Sequence, residues 1–313
     1  KGGRSKFFAD VIVGPNPRLK TMFIINNGFK PGFGLESDIY SFNFSQYNKG
    51  ERTNKWDFDN YTFSAFMPMT IKNNYLFKTG FLHEHFRFKQ EVVVDPELEA
   101  YNKFADYGSF YFSFNHDSRD KINFTTKGQL VELKFKHVFP FSKQWNNVLS
   151  NSSILYLKYH LYTKLTNKLV YKPELFLGYT FTNKIEPYSE SYSVNSRIPA
   201  VQHLFGFGGM NPSNYLENHI AFTGIKFIER LGIYAAKVST NLEYNFYPKL
   251  YVTAMADVGM VENSLDNINE IQVLLGYGVK LSYDSFIGPV EFSATSSNVD
   301  RSFNAFFNLG YWF

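Results

Sequence analysis

The feature that most constrains this chain is a period of two. From Ile271 to Ser285 the odd positions read Ile271, Val273, Leu275, Tyr277, Val279, Leu281 and Tyr283, while the even ones include Gln272, Gly276, Gly278, Lys280, Ser282 and Asp284. Successive side chains of a strand point to opposite faces, so this segment reads as a β-strand with one apolar and one polar face. Ala235 to Tyr247 repeats the pattern, setting Val238, Thr240, Leu242, Tyr244 and Phe246 against Lys237, Ser239, Asn241, Glu243 and Asn245. Upstream, Val131, Leu133 and Phe135 oppose Glu132, Lys134 and Lys136. Likewise Leu155, Leu157, Tyr159 and Leu161 oppose Lys158 and His160, and Leu175, Leu177, Tyr179 and Phe181 oppose Lys172 and Glu174.

About 14 segments of this kind can be counted, most of them near the ~9 to 11 residues that a tilted membrane strand needs. Aromatic residues make up 19% of the chain, with 35 Phe and 22 Tyr, yet hydrophobic residues reach only 44% and mean hydropathy is −0.27. A soluble domain would bury so many rings in one core and would not keep a continuous polar face on the same strands. A membrane barrel inverts this, turning its aromatics to lipid and its charges to the lumen. An open sheet cannot leave its edges unpaired in lipid. The expected fold is therefore all-β: a closed antiparallel transmembrane β-barrel of 14 to 16 strands over residues 1–313, with residues 1–30 as lead-in or first strands. Both signs of charge recur on the polar face, which predicts ion pairs across the lumen rather than a lining of one sign. The glycine-rich stretch from His203 to Gly232 is the long loop expected to fold into it.

No run approaches the ~18 to 20 apolar residues of a membrane helix. The formal net charge of +4 is spread along the chain, which gives nucleic-acid binding no support. The absence of cysteine excludes disulfides and thiolate metal sites. With no leader at Lys1-Gly2-Gly3, an exported barrel is read as a mature form or as part of a longer chain. The Gln46 to Lys55 and Glu91 to Glu99 stretches read as polar loops, and the faces of Asn74 to Phe88 stay ambiguous.

Two regions then resemble a known family. Asp117-Ser118-Arg119-Asp120, followed by Phe124-Thr125-Thr126-Lys127-Gly128, is similar to the Asp-x-Arg-Asp…Phe-Pro-Thr-x-Gly junction of the bacterial surface antigen superfamily, with Thr125 at the usual proline. Gly206-Phe207-Gly208-Gly209, Met255-Ala256-Asp257-Val258-Gly259, Gly276-Tyr277-Gly278 and Gly288-Pro289-Val290-Glu291 follow in the superfamily's order. That superfamily holds barrel-assembly translocases and two-partner secretion transporters. Within it, Phe222-Thr223-Gly224-Ile225, Gly288-Pro289 and the ending Phe307 to Phe313 most resemble the 16-stranded C-terminal barrel of patatin-like phospholipases, the type Vd autotransporters. The resemblance implies a membrane anchor and translocator in the bacterial outer membrane, in contact with lipid and lipopolysaccharide and assembled by the barrel-assembly machinery. It implies no cofactor and leaves the oligomeric state open. Leu309, Tyr311 and Phe313 correspond to the C-terminal signal read by strand pairing during assembly. The nucleophile elbow Gly-x-Ser-x-Gly of a patatin domain does not occur, so no catalytic residue is assigned, and the patatin and periplasmic linker domains are not in this stretch.

One departure stands out. In the superfamily the long loop carries a Val-Arg-Gly-Phe or Tyr tip whose arginine is pinned by acidic and aromatic residues of a neighbouring strand. Here the tip is Phe222-Thr223-Gly224-Ile225, while the facing Asp257 is retained. Loop and lock candidates are therefore Gly208, Gly209, Thr223, Gly224, Lys226, Asp257 and Lys280, with Lys226 or Lys280 as counter-charge to Asp257. Gly276 and Gly278 lie on the lumen face, where a missing side chain would let a loop approach the wall. His83 and His85 share one strand face and could be half of a metal site, although two polar residues near a loop explain them as well; no metal site is assigned. His137 falls on the lipid-facing register and resembles the lipid-exposed histidine of barrel phospholipases, but the sequence identifies no partner serine. The Asp117 to Asp120 cluster reads as a self-satisfied turn with Arg119 paired internally.

Overall fold

The computed structural model describes residues 4–14, 16–48, 51–72, 74–90, 105–141, 151–182, 203–210, 216–267, 269, 271–299 and 303–310. Nine strands come first: β1 (Arg4–Ile12), β2 (Arg18–Asn27), β3 (Lys30–Asn48), β4 (Glu51–Ile71), β5 (Tyr75–Gln90), β6 (Ala105–Asp117), β7 (Gly128–Pro140), β8 (Ser152–Lys164) and β9 (Leu169–Thr182). Three short strands lie in the long loop, namely β10 (Phe205–Phe207), β11 (His219–Ile220) and β12 (Arg230–Gly232). Five more complete the chain: β13 (Tyr234–Tyr247), β14 (Leu250–Glu262), β15 (Leu274–Ser285), β16 (Gly288–Ser297) and β17 (Asn304–Leu309). All but the three loop strands form one 14-stranded sheet, each paired antiparallel with its neighbour in chain order and β9 pairing directly with β13. Among the described residues no ladder joins β1 to β17.

Faces follow the predicted alternation. On the outer side Phe63, Phe110, Val238, Phe292 and Phe307 are each at least half exposed, at 50 to 62%. The opposite face buries Asn60, Glu84, Lys136, Lys237, Ser239, Glu243, Thr253 and Asp257. Apolar groups outside and polar groups inside suit a sheet bathed in lipid around a wet lumen. The ambiguous β5 resolves by its partners: His85 pairs with Tyr61 and Asp106 on the outer face, while Glu84 and Phe86 are buried inside.

Two expectations need correction. Most of the polar stretch Gln46 to Lys55 is strand, because β3 and β4 keep pairing through Ser45–Lys55 and Gln46–Asn54. A hairpin ladder satisfies its own backbone and can continue into water past the apolar band. The lumen is also not purely polar. Phe42, Phe44, Phe58, Phe86 and Tyr107 point inward as a stacked cluster, with Phe58 5.9 Å from Phe86 and Phe86 5.3 Å from Tyr107 between ring centroids. They can be buried there because the long loop brings apolar surface to meet them. Phe227 of that loop stands edge-on to Phe44 at 5.9 Å.

The antiparallel order puts the ends of β3, β5, β7, β9, β14 and β16 on one side, and the loop expected over Glu91 to Glu99 lies outside the described residues. The tighter connections 28–29, 72–74, 165–168, 248–249 and 286–287, together with 118–127, lie on the opposite side.

Candidate functional site: a loop seated in the lumen

The loop between β9 and β13 is built to turn inward. Its base is fastened to the end of β9, where the Thr180 hydroxyl donates to the His203 carbonyl at 2.8 Å and the Thr180 N–H to the Ile233 carbonyl at 2.8 Å. β10 pairs antiparallel with β12 and parallel with β11, which gives the loop a small sheet of its own and satisfies backbone groups that the wall cannot reach. Gly208 and Gly209 adopt φ of +132° and +75°, a region closed to most side chains. The turn they make is closed by the Gly209 N–H donating to the Ile225 carbonyl at 2.7 Å and by His219 Nε2 lying 2.6 Å from the Gly208 carbonyl oxygen.

The tip then meets β13 to β17. The Thr223 N–H donates to Asp257 Oδ2 at 2.7 Å, and Asn304 Nδ2 donates to the Gly224 carbonyl at 3.2 Å. Gly224 has φ +77°, and a Cβ there would strike the Ser296 carbonyl. The Thr223 carbonyl lies where a Cβ on Gly276 would stand. Of the two glycines singled out on this strand, Gly276 admits the loop; beside Gly278 the nearest atoms belong to Ala294 and Thr295 of the neighbouring strand.

The counter-charge to Asp257 differs from expectation. It is Lys237, whose ammonium lies 3.8 Å from Asp257, donates to the Ala221 carbonyl at 2.7 Å and approaches Glu174 at 3.4 Å. Lys280 is held by Glu291 at 2.8 Å, with Ser282 and Asn308 also donating to that carboxylate at 3.3 Å. The Lys226 N–H donates to Glu229 at 3.2 Å. Sequence reasoning placed Lys237 on the polar face but overlooked it as the partner. Its pairing register, opposite Gly259 and two positions from the Ser239–Asp257 pair, brings it there, a relation between strands that no local pattern carries.

Further contacts bind the loop to the other side of the lumen. Glu217 forms ion pairs with Lys134 and with Lys136, the latter at 3.4 Å, and the Tyr156 hydroxyl donates to it at 3.5 Å. His203 and Glu84, both buried, approach at 3.4 Å. One loop thus touches side chains of β3, β5, β7, β8, β13, β14 and β17, which requires the sheet to curl around it. Between the 216–221 segment and the inner faces of β1 to β9 remains a polar chamber of about 730 Å³.

The remaining candidates fall elsewhere. In the β6–β7 turn Arg119 pairs with Asp117 at 2.8 Å. Asp120 accepts from the Thr126 hydroxyl at 2.7 Å and from the N–H groups of Thr126 at 2.9 Å and Lys127 at 3.2 Å. Slight burial opposes ionisation of Asp120, but these hydrogen bonds outweigh it and push its pKa down to about 2. Thr125, in place of proline, donates to the Lys121 carbonyl at 2.7 Å. Gly128 has φ +111° and a Cβ there would strike Ser118, while Phe124 stacks on Tyr251 of β14 at 4.3 Å. This turn therefore reaches inward beneath the lumen.

His83 and His85 lie on the outer face and share one oxygen of Asp106, at 3.3 and 2.8 Å. No group of three ligands able to hold a metal occurs among the described residues. His137 does have a serine partner, Ser153 on β8, with Nδ1 2.8 Å from Oγ on the outer face. Among the described residues no third polar group orients that ring, so the pair lacks the third member of a hydrolytic triad. Leu309 ends β17 on the outer face; Tyr311 and Phe313 lie outside the described residues.

A family model described as the OMP85 superfamily matches residues 5–313. The chain belongs to the OMP85 superfamily. Among solved structures it is similar to BamA from Haemophilus ducreyi lacking POTRA domains 1–3, with a TM-score of 0.64 and 14% identity over 93% of this chain and 62% of that one. CdiB from Escherichia coli gives 0.57 and 11% over 94% of this chain and 51% of that one. CdiB from Acinetobacter baumannii gives 0.55 and 12% over 93% and 49%. The chain thus spans 49 to 62% of the length of these structures. No curated protein matches it in sequence. Membership in the OMP85 superfamily, joined to the inverted faces of the sheet, locates the chain in the bacterial outer membrane.

Proposed function

We propose that residues 1–313 are the outer-membrane anchor and translocator barrel of a patatin-like phospholipase-type protein, closed at rest by the 203–232 loop. The wording of the last 110 or so residues supports the patatin-type assignment, and any phospholipase activity belongs to a domain outside this stretch. The observation that carries the blocked lumen is the seat of the tip, where Thr223 bonds Asp257 and lies against Gly276. In place of an arginine on the loop reaching an acid on the wall, a wall lysine, Lys237, reaches a loop carbonyl and the acid together. The exposed apolar face meets lipid and lipopolysaccharide, and the strand ending at Leu309 is read by the barrel-assembly machinery. Replacing Tyr311 and Phe313 with Ser is expected to lower the folded, heat-modifiable fraction without changing synthesis.

Two measurements test this reading. The intact mass of the protein from its native membrane should be near twice the 36.3 kDa of these residues; a mass near 36.3 kDa removes the catalytic partner. The purified barrel should show little steady conductance in a planar bilayer, and deletion of residues 211–228 should open it. Large stable channels from the intact chain would instead favour a porin-like transport barrel. The polar chamber beside the loop is the observation that keeps a translocase in view.

A further inference from the structure

Most charged groups of the lumen wall are paired on the wall itself, although Glu84 of β5 meets His203 of the loop at 3.4 Å. Facing the chamber, Arg18 pairs with Asp38 at 2.6 Å, Lys20 with Glu36 at 3.1 Å, Lys158 with Glu132 at 3.7 Å and Lys237 with Glu174 at 3.4 Å. Each of these carboxylates belongs to a wall strand, so the pairs survive any movement of the loop. Lys134 and Lys136 differ. Among the described residues the carboxylate within 4 Å of each is Glu217, which the loop brings.

Lys78 has no carboxylate within that range among the described residues, and its ammonium lies 5.2 Å over the Phe66 ring. Lys78 pairs with Ser113, which pairs with Lys134, which pairs with Tyr156, so these four stand in one row across β5 to β8. The small Ser113 leaves space between the two ammonium groups, and Lys134 is steadied 5.1 Å over the Tyr111 ring.

We propose that Lys134 and Lys136, with Lys78 beside them, form a carboxylate-binding site on the lumen wall. At rest Glu217 fills it; once the loop withdraws, an acidic side chain of an extended polypeptide in the lumen takes its place. The physical ground is the charge left behind, since partly enclosed cations that lose their counter-ion are costly and must acquire another. A polypeptide brings the carboxylate on a backbone that the hydroxyls of Ser113 and Tyr156 can also meet. Glu217 then acts as a tethered stand-in, and each acidic residue entering the chamber weakens the hold of the loop. This assignment rests on the reading of the barrel as a translocator.

The test measures binding rather than flux. A fluorescent, extended glutamate-rich peptide and its glutamine-rich counterpart are titrated against the detergent-solubilised full chain by anisotropy, with heat-modifiable mobility confirming the fold of every variant. The chain itself should bind the acidic peptide weakly, and E217Q should bind it about tenfold tighter than the glutamine peptide. Adding K134Q and K136Q to E217Q should erase that preference, and adding K78Q alone should reduce it. Equal binding of both peptides by E217Q, or a preference that survives loss of both lysines, overturns the site. Displacement by free glutamate at equal carboxylate concentration overturns the polypeptide as ligand. Conductance reports separately on the plug, so a chain that conducts freely yet binds the peptide as expected loses the plug and keeps the site.

Discussion

The carbonyl oxygen of Thr223 occupies the space that a side chain on Gly276 would need. Backbone of the loop and backbone of β15 approach closer than any Cβ would allow, so the glycine is a steric condition for seating the tip. Gly276→Val should therefore unseat residues 222–225 while leaving the ladder of β15 intact. Steady conductance should rise well above that of the unaltered chain, with heat-modifiable mobility retained. A folded G276V barrel that stays as tight as the original would show that the seat does not close the lumen.

Asp257 holds the tip through two interactions of different kinds, a hydrogen bond from the Thr223 N–H and an ion pair with Lys237. Asp257→Asn keeps an oxygen acceptor and removes the charge, whereas Asp257→Ala leaves the Thr223 N–H without its acceptor and the Lys237 ammonium with Ala221 and Glu174 alone. Loss of a buried hydrogen-bond partner costs about 1 to 3 kcal/mol, so D257A should loosen the loop by that order and D257N by less. Hydrogen exchange of the segment 221–226 reads this directly. Equal exchange in both variants would mean that charge alone holds the tip.

The register makes a prediction of its own. Val238, Leu242, Val252 and Leu281 fall on the outer face, and Glu243, Asp257, Lys280 and Glu291 on the inner one, whereas Val273, expected within the strand, lies in the connection before β15. A one-residue slip would put basic groups into hydrocarbon at about 2 to 4 kcal/mol each near mid-depth. Cysteines at the first set should resist a water-soluble maleimide in intact membranes. Labelling of Leu242 or Leu281 as fast as of Glu243 would contradict the register.

Strand number and facing were legible because alternation is a local signal that each segment carries whole. In the sequence Leu281 and Lys280 already declare opposite faces. What could not be read were relations between distant residues. The partner of Asp257 depends on how β13 and β14 are registered, which sets Ser239 opposite Asp257 and Lys237 two positions away. The inward aromatic cluster was hidden for a similar reason. Phe42, Phe44 and Phe58 look lipid-facing until the loop that brings Phe227 against them is placed. The extension of β3 and β4 was missed because polar residues paired in water carry no apolar alternation. Ser153 stayed unseen beside His137 because the contact crosses from one strand to the next.

The β6–β7 turn carries the last prediction, because there a carboxylate replaces secondary structure as the organiser of the backbone. Asp120 collects the Thr126 hydroxyl and two N–H groups, and these bonds, outweighing a small desolvation, hold its pKa down to about 2. A folded-state pKa below the ordinary value near 3.9 means that ionised Asp120 favours the folded state. That contribution is fully present above about pH 4 and is lost as pH falls toward 2. Asp120→Asn, which cannot ionise, should be less stable than the unaltered chain from pH 5 to 7, measured as the urea midpoint in detergent. The gap should narrow below pH 4 and close near pH 2. Phe124 rides on the same turn, so D120N should also loosen its stack on Tyr251, which quenching of a probe placed at Ile122 can follow. A stability gap that stays constant down to pH 2 would mean that the carboxylate is not what holds the turn.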